Sequence, residues 1–232
     1  MIYTTDQLTA DFRSDVFDLP DEDDEGNARD TLWSEEDILR YINEACHRLA
    51  SDTLALRRTI ELNFTAGTAF MPAPLDEILD IIVATFSIPG LGRQRALRKF
   101  DIDDGLTGDD YGVIYYTMPD LDAEGMPTHY TRDWNNASVR LWKVPHIAGK
   151  LTLNAIVLPQ PIYAGMPLPF SSPQDRNLLL LWMKKMAYAK QDADTLDLTR
   201  SAAFEAEYQR YMPNRRSEID RLRRDNAILR PS

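Results

Sequence analysis

The sequence predicts an α+β protein: a helical bundle built from the two ends of the chain, with a β-rich domain inserted between them. Three observations carry this. Helical periodicity is confined to residues 5–51 and to the last sixty residues. The stretch between them alternates with a period of two and is punctuated by Gly and Pro. Each terminal helix has one apolar face, and such faces are most simply buried against one another. The expected boundaries are 1–57 and 171–232 for the discontinuous helical domain and 58–170 for the insertion, a sandwich or partly closed barrel.

Thr5–Val16 is the first expected helix, with Leu8, Phe12 and Val16 spaced by four. A second is expected over 34–51. Ser34 is a strong N-cap, and Asp37 stands three residues on, as in a capping box. Trp33 and Ile38 have the spacing of a hydrophobic staple. Ile38, Tyr41, Ile42, Ala45 and Leu49 mark the buried face.

From Arg58 the period changes. Thr59–Phe64 alternates as a half-buried strand, Ala66–Thr68 is a turn, and Ala69–Met71 is the expected return strand of a hairpin. Asp80–Ile88 is β-branched enough for a central strand. Gly112–Thr117, Thr128–Arg132, Ser138–Trp142 and Lys150–Val157 complete the expected set. Pro159, Pro161, Pro167, Pro169 and Pro173 then make a stiff extended return.

Helices resume at Asn177–Asp192 and from about Thr199 towards Leu229. Leu178 and Trp182, with Phe204 and Tyr208 on the second helix, are expected to pack against Trp33, Ile38, Tyr41, Ile42 and Leu49. Pro213 is expected to kink or interrupt the last helix and set off an arginine-rich arm over 213–232, because proline lacks the amide donor and clashes with the preceding turn.

Charge is unevenly placed. Residues 1–37 hold thirteen acids against Arg13 and Arg29, which accounts for the whole net charge of −11. Asp101–Asp133 holds nine acids against Arg132, whereas Arg215–Ser232 has six arginines against Glu218, Asp220 and Asp225. Solvated surface explains such polarity, and so does head-to-tail contact between copies.

Catalytic and metal signatures are missing. Cys46 and His47 are adjacent and so diverge by about 100° on a helix, and no His pairs with another at i, i+3 or i+4. The acids of Asp21–Glu25 are contiguous, and Asp101–Asp110 lacks the glycine placement and closing Glu of a calcium loop. There is no Gly-x-Ser-x-Gly, no Gly-x-x-x-x-Gly-Lys-Ser/Thr and no Gly-x-Gly-x-x-Gly, and Pro89–Arg93 reads as a turn. No catalytic, metal or cofactor site is therefore expected. No run approaches the roughly 20 apolar residues of a membrane helix. The N-terminus has no basic region followed by an apolar core, and the single cysteine suggests a reducing site of synthesis.

Taken in order, three segments resemble the tailed-bacteriophage head–tail adaptor (connector) proteins. They are Leu32–Ala45, ending in Asn-Glu-Ala; Gly125–Tyr130 followed by Val139–Trp142 and the Pro-rich return; and Trp182 through Ala187–Asp194 to Phe204 and Tyr208. The acidic run Asp21–Glu25 and the stretch Asp101–Glu124 match no part of the pattern. The resemblance implies a non-enzymatic virion protein of the neck, synthesised in the host cytoplasm. It implies a ring of roughly twelve copies beneath the portal, extending the DNA channel without sequence-specific binding and docking the tail tube, nozzle or other tail proteins. The portal would be engaged by the C-terminal segment, with Arg215, Arg216, Ile219, Leu222, Arg223, Arg224, Ile228 and Leu229 as the candidate contacts. Two other readings stand beside it. One is a β-sandwich hydrolase or carbohydrate-binding module around Asp101–Asp133, the other a DNA-binding protein acting through Arg215–Arg224.

Overall fold

The structure, a computed structural model, describes residues 3–18, 31–90, 92, 94–99, 123–133, 137–170, 172–191 and 195–228. The expected strand Gly112–Thr117, the runs Asp21–Glu25 and Asp101–Asp110, and Leu229 lie outside the described residues. The fold is α+β, with a β domain inserted in a helical one. The chain divides into two compact units, one of residues 1–56 and 158–232, the other of 57–157.

In the helical unit, α1 spans Thr5–Val16 and α2 spans Glu35–Thr53. A reciprocal capping box opens α1: Gln7 N donates to Thr4 Oγ1, and Thr4 N donates to Gln7 Oε1. Ser34 caps α2 differently from the expected box. Its hydroxyl accepts from Asp37 N at 3.1 Å and donates to the Asp37 carboxylate at 3.0 Å. Both helices end on a non-glycine residue in the left-handed region, Phe17 (φ 57°) and Leu54 (φ 55°), a conformation uncommon for residues other than Gly, Asn and Asp.

The helix α3 runs over Pro173–Ala189, four residues earlier than periodicity suggests. Ser172 caps it and Pro173 occupies the first helical position, where its missing N–H costs nothing. Its Leu178–Met183 run is buried all round. The final helix, α4, is Leu198–Ile228. Contrary to expectation it passes through Pro213 without interruption. Proline in a helix interior costs about 3 kcal/mol, and contacts on both sides of Pro213, described below, offset that cost.

The core joins α1, α2, α3 and α4. Leu8, Phe12, Trp33, Ile38, Tyr41, Ile42, Leu49, Leu178, Trp182 and Tyr208 are buried in one cluster, and Phe204 packs partly buried against it. The Pro-rich return belongs here too, since Ile162, Leu168 and Phe170 are buried in the same cluster. The helical unit thus resumes at 158, not at 171.

The β unit is a seven-stranded sheet, β1 (Arg57–Phe64), β2 (Phe70–Pro72), β3 (Ile78–Ser87), β4 (Gln94–Lys99), β5 (His129–Asp133), β6 (Ser138–Trp142) and β7 (Gly149–Val157), in the order β1-β7-β3-β4-β5-β6-β2. All pairs are antiparallel except β4–β5, which is joined by only Arg98↔His129 and Lys99↔Tyr130. The edge strands β1 and β2 approach within 8 Å between Cα atoms, so the sheet is nearly closed, like a barrel. In β7, Leu151, Leu153 and Ala155 alternate inward, as a half-buried strand requires.

The expected hairpin does not form: β2 pairs with β6, not with β1. The turn between them is held by the neighbouring segment, with Gly67 N donating to the Pro145 carbonyl and Leu141 N to that of Ala69. The strand β4 was not expected, because only Leu97 in Gln-Arg-Ala-Leu-Arg-Lys is buried.

Candidate partner-binding surface of the helical unit

The first half of α4 is clamped to α2 and α3. Tyr208 donates to Asp52 Oδ2 at 2.9 Å, and Arg48 binds the same oxygen at 2.8 Å. Burial, with Asp52 beside it, pushes the Tyr208 hydroxyl well above its ordinary pKa, so it stays a donor. The Tyr208 ring lies 5.0 Å from that of Trp182, and Arg48 and Lys185 stack on Trp182 at 4.9 and 4.3 Å. Phe204 stacks on Tyr188 at 5.8 Å.

Beyond Pro213 the helix is also held. Arg215 grips Asp175 in the first turn of α3 with two parallel bonds, Nε to Oδ1 at 2.7 Å and Nη2 to Oδ2 at 2.9 Å. Its third nitrogen donates to Glu218 at 2.9 Å. The bond to Asp175, and then the charges of both acids, raise the Arg215 pKa against the opposing effect of burial. Ile219 is buried. Arg223 donates to the carbonyl of Leu54, the residue that closes α2, and to Asp220 at 3.2 Å.

The candidate contacts of the C-terminal segment therefore separate. Arg215, Ile219 and Arg223 are engaged by their own chain. Arg216 and Leu222 face outward. The side chains of Arg224 and Ile228, and the whole of Leu229, lie outside what the structure describes. Exposed residues over 213–222 are Pro213, Asn214, Arg216, Ser217, Arg221 and Leu222, a mainly cationic face with the half-exposed Asp220 side chain beside it.

A second surface lies at the opposite end of α2. A groove of about 600 Å³ runs between α1, α2 and the loop 163–166. Beneath it Arg13, 7% exposed, is bonded to Asp18 at 2.6 Å, to Glu35 at 2.7 Å and to the Trp33 carbonyl at 3.1 Å. Asp18 also accepts from Leu32 N at 2.7 Å. This clamp ties Asp18 and Arg13 to Leu32, Trp33 and Glu35, the described residues on the two sides of the acidic run in sequence.

Sequence reasoning missed that clamp, and missed Asp175 and Asn43 as well. Asn43, within the Asn-Glu-Ala of the second helix, accepts from Ile162 N at 2.8 Å and donates to the Ile162 carbonyl at 2.9 Å. One amide thereby pairs both backbone groups of Ile162 in the Pro-rich return. The only signal was Asn43's position in a quoted motif, with nothing to show its partner.

Ordinary chemistry explains the remaining singled-out groups. Burial pushes the Cys46 thiol up to about 12, so it is protonated and inert. Among the described residues no group of three or more His, Cys, Asp or Glu is placed to hold a metal ion, and no helix is long and apolar enough to cross a membrane.

Two charged, partly apolar surfaces thus stand exposed on the helical unit. Residues 3–231 match the family of the SU10 adaptor protein, and the chain belongs to that family. It is a family of phage structural adaptors, which implies a virion component. No curated protein matches the chain.

Proposed function

We propose that this adaptor assembles as a ring below the portal, extends the DNA channel and docks tail proteins, with the C-terminal segment 213–232 engaging the portal. The family match over residues 3–231 carries the reading. The outward face of α4 supports the ring, since exposed Arg216, Arg221 and Leu222 suit docking to a further copy of the chain, and the residues beyond them are the part proposed to reach the portal. The partners are further copies of the chain, the portal, and the tail tube, nozzle or other tail proteins. DNA passes through without sequence-specific contact, and an acidic lining would keep phosphates from adhering.

Particles made without this protein should contain packaged heads that fail to join tails, and normal infectious particles would refute the reading. Portal docking is best tested by removing 224–232, which leaves Arg215, Ile219 and Arg223 in place. Unchanged docking to the portal would rule that segment out as the contact.

A further inference from the structure

We propose that the groove between α1, α2 and the loop 163–166 of one copy receives the cationic face of α4 of a second copy, head to tail. This rests on the ring reading above and names the contact between neighbours.

The groove is built to take an amphipathic helix. Ala10, Leu39 and Ala164 line it with apolar surface, and Asp6, Glu35 and Glu36, all exposed, supply its acidic groups. The wall formed by the loop is fixed in advance. Gly165 N donates to Asp6 Oδ1 at 2.9 Å, and Thr5 Oγ1 donates to the Tyr163 carbonyl at 3.3 Å. That loop carries Tyr163, 64% exposed, and Met166, 42% exposed. Among the described residues that line the groove the only cation, Arg13, is shared between Asp18 and Glu35 and leaves an acidic excess.

The occupant has the matching chemistry. On α4, Glu218 pairs with Arg215 and Asp220 with Arg223, so both acids of this segment already have an arginine partner. Arg216 and Arg221 are left outward beside Leu222, which is 49% exposed. Leucine against the apolar lining and arginine against the acids pair both components of the surface.

Geometry says that the helix comes from another copy. Arg223 pins α4 at Leu54, the C-terminal end of α2, whereas Glu35, Glu36 and Leu39 of the groove lie in the first two turns of α2. A helix of that length spans about 28 Å, so a chain cannot fill its own groove while its α4 is held. Groove against groove and face against face would oppose like charges. The two patches are different and complementary, which makes the contact heterologous, the kind that closes into a ring when its rotation permits.

The test uses the full chain. A mixture of Glu36→Cys and Arg221→Cys proteins, oxidised mildly at low salt, should form a mixed disulfide dimer that neither protein forms alone. The double variant E36C/R221C should give a ladder of covalent oligomers, both in the free protein and in assembled necks. Buried Cys46 takes no part. In a second arm, E36R or R221E should each weaken association about tenfold, and their combination on one chain should restore it, because every contact is then reversed. Several outcomes overturn the proposal: no ladder in either setting, homodimers of either single variant in equal yield, cross-linking of E36C to the portal instead, or no rescue by the double reversal. A ring seen in stained necks without the ladder would discard this contact and leave the ring reading standing. Necks without rings would remove the reading itself.

Discussion

Replacing Arg215 by Ala tests how α4 is held beyond Pro213. The pair it breaks is bidentate and poorly hydrated, with side-chain exposure of 13% for Arg215 and 5% for Asp175. Removing one member of a buried pair costs about 3–5 kcal/mol, because the other is left as an uncompensated charge. Arg215 keeps some access to water, which places the expected loss near the lower end, about 3 kcal/mol, or roughly a hundredfold in the equilibrium constant. The two partners are not equivalent. Without Asp175, Arg215 still has Glu218 and solvent, so Asp175→Ala should cost less than Arg215→Ala. Removing both should cost less than removing Arg215 alone, since no stranded carboxylate remains.

Urea titration of the full chain, followed by tryptophan emission from the helical unit, gives the loss. Hydrogen exchange over 198–223 registers the same perturbation if only the end of α4 opens. An R215A protein within about 0.5 kcal/mol of the parent by both measures, or a double variant worse than R215A, would refute the argument. The same reasoning says that deleting 213–232 is a poor probe of docking. It strands Asp175 and uncovers the site of Ile219, and so confounds lost binding with lost structure.

Further tests follow from other sites. A Cβ at Gly149 would lie 2.6 Å from Phe86 Cε1 and 2.9 Å from the Ser87 carbonyl, so Gly149→Ala should destabilise the β unit by about 1–3 kcal/mol in a thermal melt. Asn43→Leu removes both bonds to Ile162 and leaves its backbone groups unpaired, which should cost about 2 kcal/mol and raise protease sensitivity near 158–170. Burial, then Arg98 and Arg95, lower the His129 pKa below 6.5 in the folded state. The unfolded chain takes up that proton first, so His129's contribution is complete above about pH 6.5 and declines as the pH falls towards the lowered value. Exchange at 94–99 and 129–133 should quicken over that range in the parent and less so in His129→Gln. The bond to Lys190 lowers the Asp37 pKa below 3.8, so its contribution is present above about pH 4 and lost on further acidification. An Asp37→Asn protein should show a shallower acid limb.

What could be read from the sequence was local. The first two helices carry their own caps and a periodicity set within one turn, so Thr4, Ser34 and the positions from Leu8 to Leu49 declare them. β3 and β7 declare themselves by apolar content. Pairing was less legible, because a strand's partner is chosen by whatever reaches its edge. Gly67 and Ala69 are taken by Pro145 and Leu141, more than seventy residues away. β4 is charged at three of its six positions and shows no period, so only its ladders reveal it. Pro213 misled for the same reason. The local rule is sound, but Tyr208–Asp52 on one side and Arg215–Asp175 on the other belong to the tertiary structure.

The mixed charge of the C-terminal helix also takes its meaning from the fold. By sequence, six arginines against three acids make a weak basic stretch, too diluted to argue for any partner. In the structure Glu218 and Asp220 are paired with Arg215 and Arg223, which anchor the helix, and Arg216 and Arg221 are exposed. The same acids that dilute the net charge neutralise the arginines that anchor the helix. They leave the outward face more basic than the composition suggests. A charge count along a helix averages two surfaces with opposite duties. Substitutions at 215 and 223 should therefore register as stability, and those at 216 and 221 as association. A variant series that mixed the two classes would find an average of both effects and misassign the segment's role.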